Sequence, residues 1–476
     1  MGKELLQAIS GWKVEAKFED IPKYFFKGDE FSKIMEGDYS LVLGRKGSGK
    51  TAIAEYIVRS EIQEIYQAQK LSFKNFPFNE LYGLSDDRFT HPNQYITIWK
   101  YVILSFVCRM IGENPKTDPL VAKQINKAFG NNADTNLAAV IRKWTVGKVN
   151  LSFFGFGGGV EKGEQSEQDW IRSVEQLESI VIKYANGYRY FIVLDELDED
   201  FKDVIGRYKN DQYLQLLTSL IKAVSEIRSI SVTNNLKVFP VIFLRDDIFD
   251  LLRDNDKNKL VDVTLELQWD QQKISDMLAH RIWKSSTGAV SGPNFEEAWT
   301  ALFMHRWTKY GYQQKKRMAT FDFIARSTHM RPRDFIRYLQ LAAAHELKSG
   351  NEKIQGGTLR HVDASFSPYL KNELIDEIES IIPEIDQVLD VLSHVNKQRI
   401  TPEEFREAFA ELEPTKESGI DADTCLKLLF HFSVIGNSGK GRSPLFFFKY
   451  EHPSRKLNFG LPIVVHRGLY KALEIV

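Results

Sequence analysis

Cysteine is scarce in this sequence, with Cys108 and Cys425 the only two among 476 residues. Both occur in apolar, helix-like surroundings, which excludes a disulfide framework. The ten histidines are scattered, and no Cys/His spacing typical of a zinc site occurs. No apolar run reaches the length of a membrane span, and the opening residues MGKELLQAISGWKVEAKF lack a signal peptide's apolar core. We therefore expect a soluble, cytoplasmic chain without a membrane partner.

Several enzymatic motifs are also missing. There is no G-x-S-x-G nucleophile elbow of the kind that α/β-hydrolases use. The glycine cluster at residues 155–159 does not match G-x-G-x-x-G, and a polar run follows it instead of a helix. This cluster predicts a flexible glycine-rich hairpin near residues 150–165, inserted into a larger domain, and not a dinucleotide site.

What is present is a phosphate-binding loop. Residues 44–51, GRKGSGKT, fit G-x-x-x-x-G-K-[ST] between a predicted strand (40–43) and a predicted helix (52–59). Lys50 is expected to reach the terminal phosphates and Thr51 to bind Mg²⁺. The alternative, a chance glycine turn, is disfavoured by the strand–loop–helix context. The predicted nucleotide-binding residues are Gly44, Arg45, Lys46, Gly47, Ser48, Gly49, Lys50, Thr51 and Ala52.

A second strand tip supplies acids. Residues 191–194 are an apolar run that ends in Asp195 and Glu196. An acid at such a tip can hold the Mg²⁺ shell, and a glutamate after it can activate water as a general base. We assign these roles to Asp195 and Glu196 in turn. The acids that follow, at 198–200, are predicted to form a solvated turn.

Two arginine positions are further candidates for contact with the γ-phosphate. Arg245 ends the predicted strand 238–244, and an ion pair with Asp246, Asp247 or the acidic turn near residue 198 is an equally good interpretation. Arg331 and Arg333 flank Pro332 at a predicted helix start, where either could touch a phosphate or form a surface ion pair.

Together these motifs resemble the AAA+/STAND side of the P-loop ATPases. In that family the loop is Walker A, Asp195-Glu196 is Walker B, Arg245 stands at sensor 1 and Arg333 at sensor 2. Segments such as WKYVILSF and RPRDFIRYL are similar to a poorly characterised bacterial group of stand-alone P-loop ATPases. Sensor 1 in many AAA+ enzymes is an amide or hydroxyl, so Arg245 is closer to the STAND pattern. The 144 positions from Thr51 to Asp195 also imply an insertion.

The resemblance implies Mg²⁺-dependent binding and slow or regulated hydrolysis of ATP by a nucleotide-driven switch or signalling protein. The absence of the guanine-reading Asn-Lys-x-Asp motif agrees with ATP. A role in bacterial antiviral defence follows from the resemblance only. In AAA+ proteins an arginine after sensor 1 can complete a neighbouring subunit's site, and Arg253 is the candidate here. A homo-oligomer and a self-contained monomer remain open.

The last hundred residues read as a winged helix. A predicted helix at 374–395, a capped helix after Thr401 and a third helix at 422–432 precede two strand-like runs about a Pro-Ser-Arg-Lys turn. The third helix begins with Asp421 and Asp423, which DNA phosphates would repel. We therefore favour a module that contacts protein over one that binds DNA.

The expected fold is α/β: a P-loop NTPase parallel-sheet core at 1–270, a helical lid at 271–365 and a winged-helix-like domain at 366–476. Two other functions stay open, a DNA-binding ATPase of the origin-recognition or transposition-helper kind, and a P-loop kinase.

Overall fold

The protein is described by a computed structural model, which covers residues 2–59, 65–73, 95–129, 167–185, 187–197, 207–252, 257–286, 288, 291–439 and 445–475. The glycine-rich hairpin predicted near residues 150–165 lies outside this part of the chain. Arg253 lies outside it as well. Within the described residues, none of the helices combines the length and apolar character needed to cross a bilayer.

A parallel sheet forms the centre of the N-terminal unit. Its strands are β1 (Leu41–Leu43), β2 (Tyr66–Ser72), β3 (Arg189–Asp195), β4 (Val238–Leu244) and β5 (Thr264–Glu266). They pair in the order β2-β3-β4-β1-β5, and every pairing is parallel. The predicted α/β fold with a parallel-sheet core is confirmed.

β2 lies earlier in the chain than the sequence predicted. The run LSFKNFPF predicts a strand over residues 71–78, whereas β2 ends at Ser72, and residues 74–78 lie outside the described part of the chain. β2 is an edge strand, and its middle residues, which include Gln67, Gln69 and Lys70, are only half-buried. Edge position explains the error, because an edge strand does not need the continuous apolar run that marks a central parallel strand.

Helices cover both faces of this sheet. Alternate side chains of β3 enter different cores: Tyr190, Ile192 and Leu194 on one side, Phe191 and Val193 on the other. This alternation follows from the two-residue period of a strand. The helices of the N-terminal unit are α2 (Ile21–Tyr24), α3 (Asp29–Glu36), α4 (Lys50–Arg59), α5 (Ile96–Glu113), α6 (Pro119–Phe129), α7 (Glu167–Tyr184), α8 (Arg207–Thr233) and α9 (Asp246–Leu251).

A helical unit, here called the lid, follows the sheet. It consists of α10 (Gln271–Ser285), α11 (Phe295–Leu302), a hairpin of β6 (Trp307–Tyr310) and β7 (Lys316–Ala319), α12 (Thr320–Ala325) and α13 (Pro332–Lys348). The first helix of the chain, α1 (Gly2–Ser10), packs on α13 and α10 although it belongs to the predicted 1–270 unit. Its Leu5, Leu6 and Ile9 join the lid's hydrophobic core.

The C-terminal part has a winged-helix arrangement. After α14 (Thr358–Ile378) come α15 (Ile385–Val395), β8 (Arg399–Ile400), α16 (Pro402–Leu412), α17 (Ala422–His431), β9 (Ile435–Ser438), β10 (Phe446–Phe447) and β11 (Ile463–Val465). We call the segment from α15 to β11 the winged-helix unit. Its antiparallel sheet has the order β10-β9-β11-β8. The predicted Thr401–Glu404 capping box is present at α16.

Three details differ from the sequence prediction. The helix expected at 374–395 is interrupted between α14 and α15, where Pro383 cannot continue a helix. The two predicted strand runs do not pair with each other, since β10 and β11 both pair with β9. The predicted boundary between residues 365 and 366 falls inside α14, and residues on both sides of it share one hydrophobic core.

Candidate functional site

The predicted phosphate loop connects β1 to α4. Because α4 begins at Lys50, the loop's backbone N–H groups and the helix N-terminus face the same region. Lys50 Nζ donates to the carbonyl oxygens of Gly44 at 2.6 Å and Arg45 at 3.0 Å. Gly47 and Gly49 have φ angles of +80° and +99°, in the left-handed region that favours glycine. The curvature of the loop therefore depends on these two glycines.

The loop opens onto a cavity of about 400 Å³. Lys50 and Thr51 line it from one side, and Asp195 and Glu196 from the other. Ser48 is 4% exposed, and its Oγ has no hydrogen-bond partner among the described residues. The cavity thus joins an anion-binding loop to a carboxylate pair, a donor set that fits a nucleotide phosphate chain with Mg²⁺.

Asp195 ends β3 and is only 3% exposed. Its Oδ2 lies 3.0 Å from Nζ of Lys70 on the neighbouring strand β2, and the same ammonium lies 3.0 Å from Oε1 of Glu55. Burial raises the pKa of Asp195, and the attraction of Lys70 opposes that rise. A lysine thus partly compensates the two buried carboxylates beside the loop.

Glu196 follows Asp195 with a φ angle of +65°, uncommon for a residue with a side chain. Its carboxylate forms an ion pair with Lys17 and accepts a hydrogen bond from Ser72 Oγ. Burial raises the pKa of Glu196, but Lys17, Ser72 and Lys70 outweigh burial and hold it below its ordinary value. The carboxylate is therefore ionised, and it is engaged by side chains from two other segments.

Two lid arginines contact the loop at the start of α13. Arg333 lies against Gly47, since a Cβ added there would come within 3.2 Å of its side chain. It pairs with Glu373 at 2.9 Å and Glu15 at 2.7 Å, and it lines the same cavity. Arg331, 2% exposed, donates to the carbonyl oxygen of Lys46 at 3.2 Å. The lid therefore places a cation at the cavity, held by two carboxylates, and the predicted contact of Arg333 with a phosphate stays a prediction.

Arg245 adopts the ion-pair arrangement, one of its two predicted interpretations. Its Nε lies 2.9 Å from Oδ1 of Asp247, and its Nη2 lies 3.1 Å from the carbonyl oxygen of Glu377. The carboxylate of Glu377 also accepts from Arg331 at 3.1 Å. Burial raises the pKa of Glu377, yet Arg45, Arg331 and other nearby cations bring it below its ordinary value. The arrangement links the tip of β4 to the lid.

A second, mostly apolar cavity of about 270 Å³ adjoins the first. The two share Gly49 and Ala52 of the loop and Ile336 of the lid. Aromatic side chains surround the second cavity; they are Tyr24, Phe25, Phe26, Phe31 and Trp269. A flat, uncharged ring system attached to a phosphate chain fits this pair of cavities.

Several residues between 13 and 31 line the two cavities, and Lys70 pairs with Asp195, but the sequence did not predict either role. The N-terminal segment carries no motif, and its aromatic run YFF resembles ordinary core. Lys70 could have been found from strand pairing, because β2 places it opposite Val193, two residues before Asp195. The shifted prediction for β2 concealed that relationship.

The sheet order, the loop and the adjoining acids define a P-loop NTPase fold with AAA+-like topology. Three solved structures are similar to most of the chain, each at low identity. They are the ORC1 protein of Aeropyrum pernix in complex with DNA (14% identity, 94% of this chain, 91% of that chain, TM-score 0.37), the ORC2 protein of the same organism in ADPNP-ADP complexes (12%, 88%, 87%, 0.41) and Drosophila ORC bound to DNA (12%, 99%, 91%, 0.34).

A more particular similarity concerns the lid. Residues 272–375 match the sequence profile of the FunZ-associated C-terminal helical domain. This match begins one residue after the start of the predicted lid and extends through most of α14. No curated protein matches the sequence.

Proposed function

We propose that this protein is a Mg²⁺-dependent ATPase that acts as a nucleotide-driven conformational switch. The observation that carries the proposal is a single cavity lined by Lys50, Thr51, Asp195, Glu196 and the lid residue Arg333. Phosphate-binding, metal-binding and water-activating groups are close together there, and the second cavity offers an apolar site for the base.

The roles follow from the chemistry of each group. Lys50 and the loop N–H groups would hold the terminal phosphates, while Thr51 and Asp195 would hold Mg²⁺. Bound Mg²⁺ would neutralise charge on the β- and γ-phosphate oxygens. Glu196 would accept a proton from the attacking water, for which its carboxylate must leave Lys17 and Ser72.

The contacts of the loop with the lid support a switch. Arg331 holds the carbonyl of Lys46, and Arg333 packs on Gly47, so a bound phosphate chain would compete with existing loop contacts. Arg333 would exchange its partners Glu373 and Glu15 for a phosphate oxygen. Such an exchange would give the two nucleotide states different lid contacts, which is the requirement for a ligand-driven change of conformation.

Calorimetric titration with Mg-ATP tests the nucleotide assignment. We expect Lys50→Ala to lose measurable binding because the ammonium is matched to the terminal phosphates. Lys397→Ala is the control, since Lys397 also forms an ion pair, with Glu404 at 2.6 Å, but lies in the winged-helix unit and lines neither cavity. Unchanged affinity in Lys50→Ala would contradict the proposal. Weaker binding of GTP than of ATP would support the apolar cavity as the base site.

The switch has its own readout. Hydrogen exchange of the full-length protein with Mg-ADP and with a non-hydrolysable ATP analogue should differ at the start of α13. Arg333→Ala should abolish the difference while it retains nucleotide binding. Identical exchange in the two nucleotide states would argue for a simple hydrolase. The defence role is an expectation that phage infection of cells with and without the Lys50→Ala gene would test.

A further inference from the structure

The β6–β7 hairpin of the lid concentrates positive charge. Residues 304–319 contain Arg306, Lys309, Lys315, Lys316 and Arg317, with no aspartate or glutamate. The whole chain has a formal net charge of −1, so this concentration is local and does not reflect the composition. None of the other eleven residues in this segment is acidic, so nothing within the segment offsets its positive charge. The hairpin is therefore a cationic segment of a chain whose other residues carry a net negative charge.

One face of the hairpin points away from the lid. Thr308 is buried and donates from Oγ1 to the carbonyl oxygen of Gly356 at 2.8 Å, which fixes the inner face. Its neighbours Trp307 and Lys309 therefore point outward, because side chains alternate along a strand. Trp307 is 57% exposed, an unusual position for so large an apolar ring. The outer face thus presents an indole beside a lysine.

Two cations stand directly opposite each other on that face. The strand register pairs Lys309 with Arg317, and both side chains are exposed. Like charges in this cross-strand position disfavour the hairpin. Arg306 pairs with Glu296 at 3.0 Å, whereas no carboxylate of the described residues pairs with Lys309, Lys315, Lys316 or Arg317. The repulsion is left uncompensated within the described part of the chain, and a polyanion would relieve it.

We propose that this outer face, consisting of Trp307, Lys309 and Arg317, binds single-stranded nucleic acid. Phosphates would lie on the two cations while a base stacks on the indole, the combination that nonspecific single-strand binding uses. A duplex would offer phosphates, but its bases are paired and stacked and could not stack on the indole. An acidic peptide would pair with the cations but has no base to stack on Trp307. The surface is separate from the ATP site, so binding here is an additional activity.

The test is fluorescence anisotropy with the full-length protein and labelled oligo-dT or oligo-U, with a duplex of equal length and polyglutamate as competitors. We expect Trp307→Ala to weaken single-strand binding about tenfold, as for one lost base stack, with Trp307→Phe near wild type. Lys309→Ala/Arg317→Ala should reduce the slope of log K against log salt by about 1.4, or about 0.7 per lost phosphate contact.

Matched controls separate this surface from general charge. Lys348→Ala/Lys471→Ala removes two exposed lysines elsewhere and should leave affinity unchanged. Melting temperatures should not fall below wild type, because the substituted side chains are exposed, and Lys309→Ala/Arg317→Ala should melt slightly higher because it removes the cross-strand repulsion. Binding that is unaltered in Lys309→Ala/Arg317→Ala overturns the proposal. It is equally overturned if Trp307→Ala has no effect, or if polyglutamate or duplex competes as well as the single strand.

Discussion

Arg45 of the phosphate loop donates from Nη2 to the main-chain carbonyl oxygen of Phe432, at 3.3 Å, in the winged-helix unit 387 residues away. The same nitrogen lies 3.5 Å from Nδ1 of His329 in the lid. One loop residue therefore contacts both C-terminal units. A change in the conformation of the loop would therefore alter the hydrogen bond at the end of α17 directly, because no other element lies between Arg45 and Phe432.

The first prediction tests this contact. Arg45→Gln should lower the free energy of unfolding by about 1–3 kcal/mol, because a charge-assisted hydrogen bond in a partly buried site is lost. Lys46→Gln is the control, since the adjacent Lys46 pairs with acids at the cavity rim and should cost about 1 kcal/mol or less. Urea denaturation without nucleotide provides both values. Equal losses in the two variants would mean that the Phe432 contact contributes nothing specific.

The second prediction concerns turnover. Glu196→Gln should retain Mg-ATP binding and lose hydrolysis by about two to four orders of magnitude, as expected when a general base is removed. Glu15→Gln is the comparison, because Glu15 lines the same cavity but lies on the lid side, paired with Arg333. Its turnover should stay within the wild-type order of magnitude. Phosphate release near the wild-type rate in Glu196→Gln would assign the base to another group.

The third prediction concerns the buried lysine beside Asp195. Lys70→Met should destabilise the protein by about 3 kcal/mol or more, because the buried carboxylate of Asp195 loses its cation, while Glu55 keeps its ion pair with Arg59 at 2.9 Å. Lys100 also lies between two acids, Glu178 at 2.8 Å and Glu226 at 3.0 Å, but the Glu226 side chain is 49% exposed. Lys100→Met should therefore cost about 1 kcal/mol or less.

The pH dependence of that difference checks its cause. Acidification protonates the Asp195 carboxylate that Lys70→Met leaves without its cation, so the stability deficit of this variant against wild type should shrink at acidic pH. Thermal unfolding across a pH series would measure this. A deficit that is constant with pH would point to lost packing of the lysine stem instead of unpaired charge.

The fourth prediction uses two histidines beside Arg45. His329 and His466 are 2% and 1% exposed. Burial, together with Arg45 and other cations, lowers the pKa of His466 to about 3, and burial likewise lowers the pKa of His329. In the unfolded chain both histidines have a pKa of about 6.5. Below it the unfolded state binds more protons, so stability falls as pH falls, by about 1.4 kcal/mol per pH unit for each histidine.

Substitution of one histidine should remove that histidine's share of this dependence. His466→Gln should flatten the decline of the unfolding free energy below about pH 6.5, whatever its effect at neutral pH. His305→Gln, at an exposed position of the hairpin, should leave the slope unchanged. A slope in His466→Gln equal to that of wild type would show that this histidine protonates freely in the folded protein.

Local patterns were sufficient for the phosphate loop and for the buried strands. The loop at residues 44–51 could be predicted from its own sequence, because its glycines and the start of the following helix are adjacent in the chain. The strand at 238–244 was predicted with its observed ends, since a central parallel strand is apolar on both faces. Asp195 and Glu196 were placed by the same signal.

Contacts between distant segments could not be predicted from the sequence. Besides its neighbour Asp247, Arg245 contacts the main-chain carbonyl oxygen of Glu377, 132 residues away, and no local pattern indicates that contact. Lys17 and Lys70 approach Glu196 only because α4, β2 and the N-terminal segment pack around one strand tip. The sequence by itself predicted which groups would bind phosphate and metal, because the phosphate loop and the strand end at Asp195 are each recognised from neighbouring residues. Tertiary structure decided which cations those acids meet, because ion pairs across a fold depend on the packing of whole elements.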